Sequence, residues 1–157
     1  MQDKTLLQQL IGDIGIARRL LELTEQEFQA LSERDLAKLE SILTQKQPLL
    51  ALLGQHGTER SQWLSELGLS SDRAGLEAFA ASSPLGKELI EQAETLESTL
   101  NNCRDSNERN GRLIRANRAA IGSTLDILQG TNSTTPGLYD NRGGTAKISQ
   151  QRPLSQA

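Results

Sequence analysis

Between Leu6 and Leu31 the residues Leu6, Leu10, Ile14, Ala17, Leu21, Thr24, Phe28 and Leu31 recur at steps of three and four. That spacing puts them on one face of an α-helix. A stripe this narrow is buried only against other helices that carry matching stripes. Two more such stripes follow. Leu36, Leu39, Leu43, Leu50, Leu53, Leu64 and Leu67 predict a second helix from Asp35 to about Leu67. Leu85, Leu89, Ala93, Leu96, Leu100, Cys103, Asn107, Asn110, Ile114, Asn117, Ile121, Leu125 and Leu128 predict a third, reaching Leu128 or Gln129. Composition agrees. Aromatic residues make up 3% of the chain, and the frequent Leu, Ala, Glu, Gln and Arg are good helix formers. The expected fold is all-α: an elongated antiparallel helical hairpin plus a long third helix, in a coiled-coil-like bundle.

The helix boundaries are marked by small, polar and breaking residues. Asp3 is the expected N-cap of a first helix ending near Leu31. Gly12 and Gly15 each cost roughly 1 kcal/mol relative to Ala, and either weaken the early turns or permit close helix contact. Ser32-Glu33-Arg34-Asp35 reads as a tight turn, with Ser32 or Asp35 capping the second helix. Pro48 predicts a kink in that helix, and Gly54 and Gly57 weaken the turns around His56. Gly68-Leu69 reads as a helix C-cap with an apolar anchor. A short helix is expected from Gly75 to Ala81 through Leu76 and Phe79. Ser82 or Ser83 then caps the third helix, with Pro84 near its first turn. The third seam turns polar from Asn101 to Arg112, where Asn107, Asn110 and Asn117 read as register-setting contacts. Gly130 ends the helix. The expected domains are a helical bundle over residues 1–130 and a flexible C-terminal tail over 131–157.

Reactive constellations are missing from the sequence. A net charge of −3 and the lack of a Lys/Arg block argue against nucleic acid. No apolar run approaches the ~20 residues of a membrane helix, and the start lacks a signal peptide's regions, so a cytoplasmic location without stable membrane insertion is expected. The single Cys103 has no intramolecular partner and reads as a buried, inert thiol. His56 reads as a solvent-facing residue. No metal-ligand spacing or phosphate-cradling glycine motif occurs, so no catalytic, metal or cofactor site is expected and the chain is not read as an enzyme. Trp63 reads as an apolar packing residue. Arg109, Arg112, Arg115 and Arg118 form a slanted band, either a solvated surface or a means of steering an acidic partner.

The lengths carry a functional expectation. A third helix running antiparallel to the second from Leu85 draws level with the 32–35 turn at about residue 119. Its last turns then overhang by roughly 15 Å. Ile121, Leu125 and Leu128 would lack an intramolecular partner and mark a protein-binding site. The alternatives are cover by the first helix, by the tail or by a second copy. Tyr139, a lone aromatic in a polar arm, suits a partner pocket or docks back onto the chain's own helices.

The chain resembles the FlgN family of flagellar export chaperones over nearly its whole length. The first hairpin carries the likeness in Leu31, Asp35, Leu39, Lys46, Leu49, Leu50, Leu53, Arg60, Leu64, Gly68 and Leu69. The third helix carries it in Asn107, Asn110, Gly111, Leu113, Ile114 and Asn117, with the ending Leu125-Asp126-Ile127-Leu128-Gln129-Gly130. Leu138-Tyr139 followed by Gly143 is similar to the family's end. The resemblance implies a non-enzymatic chaperone that binds hook–filament junction proteins as cargo, prevents their premature assembly and delivers them to the flagellar export gate. It places cargo binding toward the C-terminus, so Leu113, Ile114, Asn117, Ile121, Leu125, Leu128, Leu138 and Tyr139 are the expected partner-binding residues. Tyr139 matches a tail position for gate contact. The rival expectation is a self-associating coiled-coil scaffold or adaptor.

Overall fold

The computed structural model describes residues 2–129, leaving out the side chains of Ile121 and Thr124. Among them are four helices and no strand: α1 (Asp3–Glu33), α2 (Leu36–Glu66), α3 (Arg73–Ala81) and α4 (Gly86–Gln129). The all-α expectation holds, with the short connector helix in its expected place. The chain divides into two compact units, residues 1–107 and 108–157. The expected boundary at residue 130 lies at the edge of the described residues, and the tail lies outside them.

In the first unit α1 and α2 form the antiparallel hairpin, and α1 is also covered by α3 and the first part of α4. Leu6, Leu10, Ile14 and Ala17 of α1 are buried with Leu89 and Leu96 of α4, with Trp63, Leu76 and Phe79 packed against them. Trp63 meets Phe79 edge to face at a centroid separation of 4.7 Å, the packing role expected of it. Nearer the turn, Leu23 and Ala30 close on Ile42, flanked by Leu39 and Leu49.

The expected seam of α2 is covered at Leu39, Leu53 and Leu64 but exposed at Leu36, Leu43, Leu50 and Leu67, and the covered face runs Leu39, Ile42, Lys46, Leu49, Leu53, His56, Arg60 and Leu64. Helical steps of three and four fit both series, but only the second includes charged residues. Those charges find partners on α1. Lys46 Nζ donates to Glu27 Oε1 at 3.1 Å, with both side chains under one-tenth exposed. Asp13 is fully buried, and one carboxylate oxygen lies 2.5 Å from His56 Nδ1 while the other accepts from Arg60 Nη1 at 2.6 Å. Arg60 also donates to Gln9 at 2.9 Å. His56 is thus not a solvent-facing residue, because its ring is half of the shell around a buried carboxylate.

The seam of α4 holds at Leu89, Leu96, Cys103 and Asn110, which are buried, and fails at Leu100, Asn107 and Ile114, which are exposed, with Thr99 buried in place of Leu100. Thr99 can sit inside because its hydroxyl donates to the Thr95 carbonyl at 2.8 Å. Asn107 therefore sets no register.

The punctuation is largely as expected, with corrections in detail. Asp3 is the first helical residue rather than the cap, since Gln2 precedes it without a side-chain cap, and the Asp3 carboxylate accepts instead from the Ser83 hydroxyl. Ser32 lies within α1 and donates to the Phe28 carbonyl, so Asp35 is the cap of α2, accepting from Lys38 N–H at 3.1 Å. The helix runs on through Pro48, Gly54 and Gly57. A Cβ at Gly12 or Gly15 would meet no atom within 4 Å, so neither serves close helix contact. Gly75 and Gly86 are instead pressed by the turns before them: a Cβ there would lie 1.7 Å from the Ser70 carbonyl oxygen and 2.0 Å from that of Ala80. Asp72 caps α3, and the Ser70 hydroxyl and Gly75 N–H donating to it hold its carboxyl below the usual carboxylate range. Gly68 (φ +75°) ends α2, and Leu69 N–H reaches the Leu64 carbonyl at 2.9 Å, the expected cap and anchor.

Arg34 ends α1 in the left-handed region (φ 57°, ψ 37°), so that Asp35 N–H closes on the Ala30 carbonyl at 2.9 Å. A side chain pays for that conformation where glycine does not. Arg34→Gly should therefore raise unfolding stability by about 1 kcal/mol in denaturant titration. The Glu27–Lys46 pair gives a second expectation. Lys46→Met should cost about 3 kcal/mol or more by leaving Glu27 buried, and adding Glu27→Leu should recover most of that loss.

Candidate protein-binding surface

Of the expected partner-binding residues, Leu113, Ile114, Asn117, Ile121, Leu125 and Leu128 lie in the second unit, on the part of α4 from residue 108 to Gln129. Good helix formers such as Ala116, Ala119, Ala120 and Leu125 carry the chain through this stretch. At 3.6 residues per turn the expected set falls on one broad face, with Leu128 five full turns beyond Asn110 on the same azimuth. Asn110 is only 2% exposed and Leu113 and Asn117 are half-buried, whereas Ile114, Leu125 and Leu128 are exposed to 36%, 45% and 75%. The side chain of Ile121 lies outside the described residues, as do Leu138 and Tyr139. Ile127 was absent from the expected set, being off the seam, yet it is 79% exposed. Its neighbours Leu125 and Leu128 could have signalled it, as a cluster of apolar residues in a terminal turn.

The arginine band runs along the same stretch. Arg109 is half-buried and donates to the Asn110 side-chain oxygen at 3.3 Å. Arg112, Arg115 and Arg118 are exposed.

The first unit holds two further features. A groove of about 450 Å³ opens between its helices, walled by Leu6, Leu10, Trp63, Leu76, Leu96 and Leu100, with Arg60, Arg73 and Glu97 among its polar lining residues. Arg73 bridges α3 to α4 through Glu94 at 2.9 Å and Glu97 at 3.4 Å. Sequence reading did not anticipate the groove, because it needs the relative placement of four helices. The second feature is the exposed series Leu36, Leu43 and Leu50 along α2.

The titratable groups inside the first unit hold the structure together. Asp13, His56 and Arg60 satisfy one another, as do Glu27 and Lys46. Cys103 is buried as expected, its thiol donating to the Ala17 carbonyl at 3.3 Å. Among the described residues no group of His, Cys, Asp or Glu is placed to hold a metal ion. No described helix is long and apolar enough to cross a membrane.

These features define an all-α protein with exposed apolar residues in the last turns of α4. The sequence profile of the family described as FlgN protein matches residues 1–147, and the chain belongs to that family. A solved structure from Pseudomonas aeruginosa, described as a candidate flagella synthesis protein FlgN, is 42% identical. Its likeness covers 82% of this chain and 98% of that one, at a TM-score of 0.69. No protein with a curated description matches.

Burial pushes the Cys103 thiol above its usual value of 9.0, against a smaller opposing pull from Lys46. A raised folded-state value favours the protonated thiol, so its contribution to stability is full below the unfolded value and is lost as pH rises through the folded one. Unfolding free energy should fall above about pH 9 more steeply in the native chain than in Cys103→Ala, as read by denaturant titration across pH. The native thiol should also resist alkylation until the chain unfolds.

Proposed function

We propose that this chain is a cytoplasmic flagellar export chaperone of the non-enzymatic, binding-module class. Its cargo would be hook–filament junction proteins, which it keeps from premature assembly and hands to the export gate. Support comes from membership of the FlgN family and from the flagella-synthesis description of the Pseudomonas aeruginosa protein. The observation that carries the reading is the exposure of Leu125 and Leu128 on a helix that continues to Gln129. Exposed apolar residues along one helical face are what an amphipathic cargo helix buries. Covering cargo surface meant for self-assembly requires no chemistry and no cofactor. Release follows when the gate offers a competing contact, for which Tyr139 in the tail is the proposed handle.

A second reading, a self-associating scaffold, draws support from Leu36, Leu43 and Leu50. They sit exposed at seven-residue intervals, the repeat that coiled-coil partners bury. Sedimentation across a concentration series separates the two readings: the chaperone stays a monomer until cargo is added.

Leu125→Asp should abolish copurification with junction proteins while leaving the helical circular dichroism and unfolding midpoint near those of the native chain. Cargo binding at native affinity by that variant would remove this face from the mechanism.

A further inference from the structure

The exposed face of α4 carries one residue that apolar packing alone does not explain. Ile114, Arg118, Ile121, Leu125 and Leu128 succeed one another at steps of four, three, four and three, so Arg118 belongs to the same helical stripe as the leucines. It is exposed and has no ion-pair partner among the described residues, and the same holds for Arg112 and Arg115. The local charge reinforces this. Residues 108–129 hold four arginines against Glu108 and Asp126, a net +2 in a chain whose overall charge is −3.

We infer that this surface takes an amphipathic helix with a carboxylate set within its apolar face, paired with Arg118. The inference rests on the chaperone reading and specifies what that reading leaves open, the chemistry of the cargo segment. A purely apolar partner helix would bury the Arg118 guanidinium without compensation, a desolvation cost that only a carboxylate offsets well. Arg suits the task because its planar fork grips a carboxylate through two parallel bonds and its stem packs along apolar neighbours. Arg112 and Arg115 lie progressively around the helix from Arg118 and provide longer-range attraction that raises the rate of encounter. The surface thereby discriminates. A helix with lysine or arginine at the facing position is rejected, however apolar its flanks.

The test measures affinity of the full-length chain for a purified hook–filament junction protein by titration calorimetry. Four forms are compared: native, Arg118→Glu, Arg118→Lys and Leu125→Asp. Charge reversal should weaken binding about tenfold or more, Arg118→Lys should recover most of the loss, and native binding should weaken with added salt. A lysine in place of the facing cargo carboxylate should restore affinity to Arg118→Glu. If Leu125→Asp loses binding and Arg118→Glu keeps it, the cargo face stands and the carboxylate pairing is wrong. If the native chain binds no junction protein, the chaperone reading fails and this inference falls with it. If Arg118→Glu instead converts an oligomer to a monomer, the occupant is a second copy and the inference is overturned.

Discussion

The Asp13 carboxylate, fully enclosed and held by His56 and Arg60, fixes how α1 meets α2. It acts together with the Glu27–Lys46 pair, because the spacing is matched on both helices of the hairpin. Asp13 and Glu27 are fourteen residues apart on α1, and Lys46 and Arg60 are fourteen apart on α2. A slip of seven residues keeps the helical faces aligned, and leucine stripes alone would tolerate it. In one direction that slip sets Asp13 against Leu53 and Glu27 against Leu39. In the other it sets Asp13 against Leu67 and Glu27 against Leu53. Either way, buried charges lose their partners, at several kcal/mol each. The ion pairs add little to stability in the native register and make the neighbouring registers costly.

This explains which parts of the fold were legible in the sequence. Helix number, order and approximate ends follow from periodicity and from the punctuation at Asp35, Gly68 and Ser83. The seam of α1 is readable as far as Ala17; beyond it Thr24 and Leu31 are buried as expected, but Leu20, Leu23, Glu27 and Ala30 are buried too, while the expected Leu21 and Phe28 are only half-buried. On α2 the most apolar stripe and the buried stripe are different lines on the same helix. Reading for leucine selects Leu36, Leu43 and Leu50, and pairing across the hairpin selects Ile42, Lys46 and Arg60. Sequence alone favours the first, since the second becomes favourable only when Asp13 and Glu27 arrive from another helix. On α4 the seam fails at Leu100, Asn107 and Ile114. Thr99 enters the core by satisfying its hydroxyl within its own helix, and Leu100 is turned outward.

The connector was legible for a different reason and incomplete for another. Gly75 and Gly86 were visible as residues but not as constraints. Each is pressed by a carbonyl oxygen from a residue five or six positions earlier, a contact that appears only when the turns before α3 and α4 are folded. At the candidate site, Leu125 and Leu128 were identified from their place in the seam. That Asn110 is buried while Leu128, on the same azimuth, is exposed is something periodicity does not contain.

The left-handed Arg34 has a consequence for how the chain remains itself. The ion pairs and leucine contacts favour α1 meeting an α2 in the right register, but they would be equally satisfied by the α2 of another molecule. Only the reversal at Arg34 and Asp35 makes the two helices of one chain face each other. If residues 33–36 continued as helix, α1 and α2 would become one rod, and two such rods would exchange halves while keeping every buried pair. Whether α1 meets the α2 of its own chain is therefore decided at the hairpin's tip, by one residue held in a conformation that side chains disfavour.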